Sequence, residues 1–331
     1  MSFRTIGDLA RTTMLQRHTA QLKAEVQRHT EAMVSGRVTD PAAALRGDLA
    51  PLAAIETTLR RIEGWKSTTA EMSLMLGAMQ TSLSTLGSVS DTASQALLTA
   101  AGSGNPTLID TTGAKARQDF QIAVAALNTR IGDRTLFAGA ATEGPALAPA
   151  DTILTALEAA TAGLTSAADI EAAVNQWFAS PAGYYLGAAA PLGPVPIGAG
   201  EVVEPGVTAA DPAIAQALAG LALGALLDRG ALAGDTAGRA DLARRAGEAL
   251  AENAAARVGV AANLGLAEAR VADAAARHGA EATALGLARA GLVAADPYQA
   301  ASDLEAAQTQ LETLYSVTAR LSRLSLVDFL R

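Results

Sequence analysis

The 331-residue chain contains no cysteine, which excludes disulfides, thiol nucleophiles and thiolate metal sites together. It is poor in aromatic rings, with 2 Trp, 4 Tyr and 5 Phe. Alanine, at 80 residues, supplies much of the 50% hydrophobic content. Alanine buries little surface, so such a chain makes thin helix–helix seams rather than a thick globular core. Long hydrophobic runs are missing as well. The longest uncharged helix-like run, Pro212 to Leu227, has 16 residues and is mostly Ala and Gly, short of the roughly 20 strongly apolar residues of a membrane span. The opening MSFRTIGDLARTT carries charge at Arg4, Asp8 and Arg11 and no continuous apolar stretch, the pattern of a chain without a cleavable secretory signal.

Basic charge is scarce in one region. Between residues 140 and 230 nine acidic residues stand against one basic residue, Arg229, and the remainder holds 24 of each sign. An acidic chain with 3% aromatics lacks the clustered Lys/Arg and stacking rings that nucleic-acid binding uses. Half apolar content is too high for a wholly disordered protein.

Eight of the 12 prolines fall between Pro145 and Pro212, while residues 52–105 and 213–296 have none. Proline removes a helix hydrogen bond and clashes with the preceding turn, so the two clean stretches can form long helices and the middle cannot. Leu15, Thr19, Leu22, Val26, His29 and Met33 recur at steps of four and three. Ser35-Gly36 then marks a stop, and Asp40-Pro41 a cap with proline at the first helical position. A longer stripe runs through Ile55, Leu59, Ile62, Thr69, Met72, Leu76, Met79, Leu83, Leu86, Ala93 and Leu97. As one helix, residues 55–100 extend about 70 Å. Gly102 to Pro106 breaks it, and Phe120, Val124, Leu127 and Ile131 stripe a third helix.

From Ala237 to about Val293 the pattern is Ala-rich, charged and helical, weakened by Gly247, Gly259, Gly265 and Gly279. Asp296-Pro297 repeats the cap-and-start signal before a last helix with Leu304, Leu311, Leu314, Val317, Leu321 and Leu324, ending at Phe329-Leu330-Arg331. Between the arms we expect a short helix around 151–178, with Tyr184-Tyr185-Leu186 and Val202-Val203 as strand candidates. The fold class is therefore mainly α: an elongated rod of long antiparallel, coiled-coil-like helices from the two chain ends, with a small Pro/Gly-rich insert of α+β character in the middle. No period of 20–50 residues marks a solenoid.

Catalytic and cofactor chemistry is not legible. His18 and His29 are about 16 Å apart along a helix, too far to share a metal ion, and with His278 they read as solvent-side or seam residues. No HExxH, GxSxG or GxxxxGK[ST] occurs. Gly198-Ala199-Gly200 lacks the third glycine of a dinucleotide fingerprint. Acidic pairs such as Glu201/Glu204 and Asp169/Glu171 read as a solvated acidic face. We expect no enzyme, no cofactor, no metal site and no catalytic residue.

Three stretches carry a resemblance. They are the N-terminal amphipathic segment ending MVSGRVTDPAAAL (Met33–Leu45), LNTRIGDRTLFAG (Leu127–Gly139), and DPYQAASDLEAAQTQLETLYSVTARLSRLSLVDFLR (Asp296–Arg331), the last with paired Gln308 and Gln310 and a Ser325-Leu326 ending. Together they resemble the flagellin superfamily and, within it, the hook-associated family of the hook–filament junction. The resemblance covers the two arms and leaves residues 140–230 unmatched. The turn after Gly36 is shorter than in flagellins, and their Asn-rich opening is absent, which favours a junction protein over a filament subunit.

The resemblance implies a structural part of the bacterial flagellum, extracellular, exported through the flagellar type III channel without a cleaved signal, and joining hook to filament as a ring of subunits. It implies as partners further copies of the chain, the preceding hook-associated protein, flagellin and a cytosolic export chaperone, with no nucleic acid and no membrane span. Residues 1–40 are then an N-terminal polymerisation helix, 41–139 and 231–295 the two halves of a helical rod, 140–230 an acidic variable insert facing outward, and 296–331 a C-terminal polymerisation helix. Leu15, Leu22, Val26, Leu311, Leu314, Leu321, Leu324, Phe329 and Leu330 are the candidate polymerisation residues. A short flagellin is the alternative, and the heptad pattern alone also permits a cytosolic coiled-coil adaptor. A terminal stripe with no partner in its own chain does not stay ordered in water, so both ends are expected to order on assembly. Residues 145–205 are expected to be replaceable by a Gly/Ser linker.

Overall fold

A computed structural model describes the backbone over residues 6–329 and the side chains over 10–320. The chain is 73% helix and 5% strand, with long helices at both ends and a small strand-bearing segment in the middle. It divides into two compact units, residues 1–63 with 279–331, and residues 64–278.

In the first unit, α1 (Ile6–Ser35) stops where Gly36 turns with φ +65°. Asp40 caps the four-residue α2 (Pro41–Ala44), its carboxylate accepting from Ala42 and Ala43 N–H. The first part of α3 (Ala50–Ser103), the last part of α9 (Ala254–Val293) and α10 (Pro297–Phe329) complete it. Asp296 caps α10 by accepting from Tyr298 and Gln299 N–H. The expected stops and starts are thus observed at both loops. There the chain also pairs with itself: Val38 N–H donates to Val293 O (2.9 Å) and Ala295 N–H to Gly36 O (2.9 Å), an antiparallel bridge between Arg37 and Ala294.

The second unit is built on the long stripe of α3, whose Met72, Leu76, Met79, Leu83, Leu86, Ala93 and Leu97 are all buried. Asn105 caps α4 (Pro106–Leu127), on which Phe120, Val124 and Leu127 are buried as the period predicts. Ile131, expected on the same helix, lies beyond its end in a short strand, because Asn128 ends the helix and Gly132 turns the chain with φ +61°. A hairpin of β1 (Arg130–Ile131) and β2 (Arg134–Thr135) turns the chain through Leu136-Phe137-Ala138. This segment anchors the middle of the molecule. Phe137 O accepts from Ala209 N–H, Ala138 O accepts from Ala188 N–H, and the Asn128 amide both donates to and accepts from the Leu147 backbone. Gly139 sits at φ +62°, where a Cβ would lie 2.5 Å from Ala190 O, so only glycine fits.

Three local expectations are corrected. Residues 151–178 form two helices, α5 (Ala150–Thr161) and α6 (Ala167–Phe178), because Gly163 takes φ +79° and Ser166 caps a new start. Tyr184–Leu186 is no strand: Tyr184 and Tyr185 are core residues, and Tyr185 makes a single bridge with Leu147. The strands are β3 (Val195–Gly198) and β4 (Glu201–Val203), paired antiparallel.

The run Ala237–Val293 is also not one helix. It breaks between α8 (Thr236–Glu252) and α9 at Asn253. Arg257, 8% exposed, donates to Leu250 O, to the Asn253 side chain and to Asp91, satisfying acceptors that the break leaves over. Burial holds its guanidinium below the usual arginine range, with Asp91 opposing that shift.

The middle segment is not a loose appendage. α7 (Pro212–Ala225) is buried along almost its whole length and packs on α4, α6 and α8. Gly220 and Gly224 allow this approach, since a Cβ would meet Leu250 at 2.8 Å and Leu97 at 3.0 Å. Leu147, Ile153, Leu154 and Leu157 join the same apolar cluster as Leu76 and Leu83.

Candidate functional site

The candidate polymerisation residues lie on α1 and α10. These helices pack on each other within the first unit, antiparallel, since α1 runs towards the Arg37–Ala294 bridge and α10 runs away from it. This corrects the expectation that each terminal stripe lacks a partner in its own chain. The bridge holds the two loops together, so the helices leave it side by side and shield part of each other's apolar face. The seam is narrow. Ala32, Ala300 and Ala307 are its buried residues, while Leu15, Thr19, Leu22, Val26, Leu304, Leu311 and Leu314 are half-buried. Met33, expected on the stripe, is 52% exposed: at 3.6 residues per turn the buried position drifts to Ala32. Alanines carry the closest packing and gave no signal in a chain so rich in alanine.

Among the described residues, part of the apolar surface beside the seam stays open. Beside the seam an open groove of about 300 Å³ is lined by His18, Leu22, Gln310, Leu314 and Val317 with Thr309 and Thr313. Met14, Val317 and Tyr315 on the same helices are 61%, 42% and 47% exposed. Leu321, Leu324 and Phe329 lie on the α10 backbone, but their side chains, and Leu330 altogether, lie outside the described residues.

Residues 248–330 match the family model of the bacterial flagellin C-terminal helical region. The match supports flagellin-superfamily membership. It spans the end of α8, α9 and α10, about a quarter of the chain, and supports a structural component of the flagellum, hence an extracellular one. No curated protein matches the chain. Flagellin-family proteins are structural rather than enzymatic. Among the described residues no helix is long and apolar enough to cross a membrane.

The titratable groups singled out in the sequence have structural places. His278 is buried, stacked on Trp65 with ring centroids 5.1 Å apart, and its Nε2 lies 2.7 Å from Ile197 O. Glu171 pairs with Arg245 (2.7 Å), Glu201 pairs with Arg277, and Asp169 N–H donates to the Ser166 cap. His18 borders the groove and His29 is half-buried in the α1 seam.

Proposed function

We propose that this chain is the junction component of a flagellum, a ring of subunits between hook and filament that polymerise through α1 and α10. The carrying observation is the half-buried α1/α10 seam with its open apolar groove. Apolar surface left uncovered on a rim of this kind is covered by association. Leu15, Leu22, Val26, Leu311 and Leu314, with Leu321, Leu324, Phe329 and Leu330 beyond them, are the residues neighbouring copies would bury. Residues 1–40 and 296–331 then act as polymerisation segments, 41–139 and 231–295 as the body and 140–230 as the variable part. Contacts to the preceding hook-associated protein and to the first flagellin layer follow from that position. Export under a cytosolic chaperone precedes assembly.

The short turn after Gly36 favours the junction over a filament subunit. The match to flagellin itself keeps a short flagellin as the second reading. Immunogold labelling separates them: one band at the hook end is expected, and label along the filament would establish the flagellin reading instead. Removing residues 321–331 is expected to leave the main melting transition nearly unchanged and to abolish incorporation at the hook tip. Normal filaments from the truncated protein would refute polymerisation through these helices.

A further inference from the structure

Within residues 64–278 two sets of helical glycines can be told apart. Gly113, Gly220, Gly224 and Gly247, on α4, α7 and α8, sit where another part of the chain comes close. A Cβ at these positions would stand 2.8 Å from Leu227, 2.8 Å from Leu250, 3.0 Å from Leu97 and 2.8 Å from Leu98 respectively. On α3 and α9, a Cβ at Gly77, Gly87, Gly259 or Gly265 would meet nothing within 4 Å, and none of these four has a positive φ. Neither packing nor backbone conformation requires glycine there, although alanine, abundant in this chain, favours a helix about fivefold more per residue.

The open glycines meet across the two helices. α3 and α9 run antiparallel, tied at Trp65–His278, at Gln80–Ala261 and at Asp91–Arg257. In that register Gly77, just before Gln80, lies level with Gly265, just after Ala261. One polar side chain stands at this level. The Gln80 amide donates to Ala261 O (3.4 Å), while its Oε1 is buried with no hydrogen-bond partner among the described residues. Ala261 O is also the carbonyl to which the Gly265 N–H, one turn on, donates in an α-helix. The Gln80 carboxamide therefore lies beside one rung of the α9 ladder, with a donor already on its acceptor and an acceptor left over.

We infer that α9 has a built-in bend point at Gly265, opened when the Gly265 N–H leaves Ala261 O and capped by Gln80, whose Nε2 keeps Ala261 O while its Oε1 takes the freed N–H. A side chain entering the backbone ladder is a cause of helix bending. Glycine at 265 lowers the cost of leaving the helical conformation, and Gly77 lets α3 follow at the same level. The straight form leaves Gln80 Oε1 buried and unpaired, which disfavours that form and brings straight and bent forms closer in free energy. The device belongs to the helix pair and does not depend on which flagellar role the chain fills.

Native-state hydrogen exchange on the purified full chain, read as protection factors at single amides, tests the bend. The amides of Gly265 to Glu268 are expected to be less protected than those of Val271 to Ala274, a turn of the same helix whose Val271 and Ala274 are buried like Leu264 and Ala267. Gly265→Ala, which removes nothing from the core, should raise protection at 265–268 about fivefold. Gln80→Leu carries the deciding sign. Removing a glutamine that caps the bent form makes opening rarer, so protection at 265–268 should rise severalfold, with the melting temperature unchanged or higher. Removing a glutamine that only ties α3 to α9 would lower protection instead. Equal protection along α9, no response to Gly265→Ala, or a fall or no change with Gln80→Leu would overturn the bend point.

Discussion

At the scale of single residues, the period of large apolar side chains identifies burial well wherever a helix is covered on one side. Leu83 is buried in the cluster that joins α3 to α4 and α7. Leu83→Ala is expected to cost about 2–5 kcal/mol, the lost transfer energy plus the cavity. Leu83→Asp should cost more, because it buries an unpaired charge, and a thermal melt that leaves the transition unmoved would dismiss the seam. Tyr184 illustrates the opposite case. Its ring is 1% exposed and packs with Trp177 and Phe178, yet its hydroxyl has no hydrogen-bond partner, and burial pushes its pKa up. Tyr184→Phe deletes an unsatisfied polar atom without changing shape, so the melting temperature should stay or rise. Nothing in the sequence marks this tyrosine as a core ring rather than a strand residue, because its burial depends on how the chain folds back after α6 to set the ring on Trp177 and Phe178.

At the scale of elements, glycines that look alike along the chain separate by what faces them. Gly247 on α8 lies against α3: a Cβ there would stand 2.8 Å from Leu98 and 3.0 Å from Ser94 O, the latter a backbone atom that cannot give way. Gly259 on α9 has nothing within 4 Å. Gly247→Ala is therefore expected to destabilise by about 1–3 kcal/mol through overpacking. Gly259→Ala should stabilise by about 0.5–1 kcal/mol through helix propensity and lost unfolded-state freedom. Denaturant titration of the two variants checks the sign of each. The sequence pattern treats both as equal helix weaknesses, since propensity is a property of the residue and steric room a property of its neighbours. The α8/α9 break at Asn253 was illegible for the same reason, because Arg257 and Asp91 that stabilise it come from different helices.

At the scale of the whole molecule, the acidic, proline-rich middle is part of the unit formed by residues 64–278. Leu147, Ile153, Leu154, Leu157, Ile170 and Val174 share one apolar cluster with α3, α4 and α7, and Ala146, Ala148 and Ala209 exchange backbone hydrogen bonds with Leu186, Tyr184 and Phe137. Replacing 145–205 by a Gly/Ser linker is therefore expected to destroy the cooperative transition of that unit, contrary to the tolerance that loop-closure cost alone suggests. Calorimetry of the replacement would decide: a retained sharp transition would show that the segment is dispensable.

The sequence by itself determined the helical class, the stop of α1 at Ser35-Gly36, the break between α3 and α4 at Gly102–Pro106, and the caps at Asp40 and Asp296. These depend on side-chain period, proline and glycine, and on hydrogen bonds made within a few residues. It also held the three stretches that resemble the flagellin superfamily. Tertiary structure alone decided that α7 is central, that α1 and α10 meet on a seam of alanines, and that the long C-terminal run breaks at Asn253. Each of these depends on which small residues let two helices approach and on which distant groups satisfy a broken backbone, and the physical cause lies in partners far away along the chain.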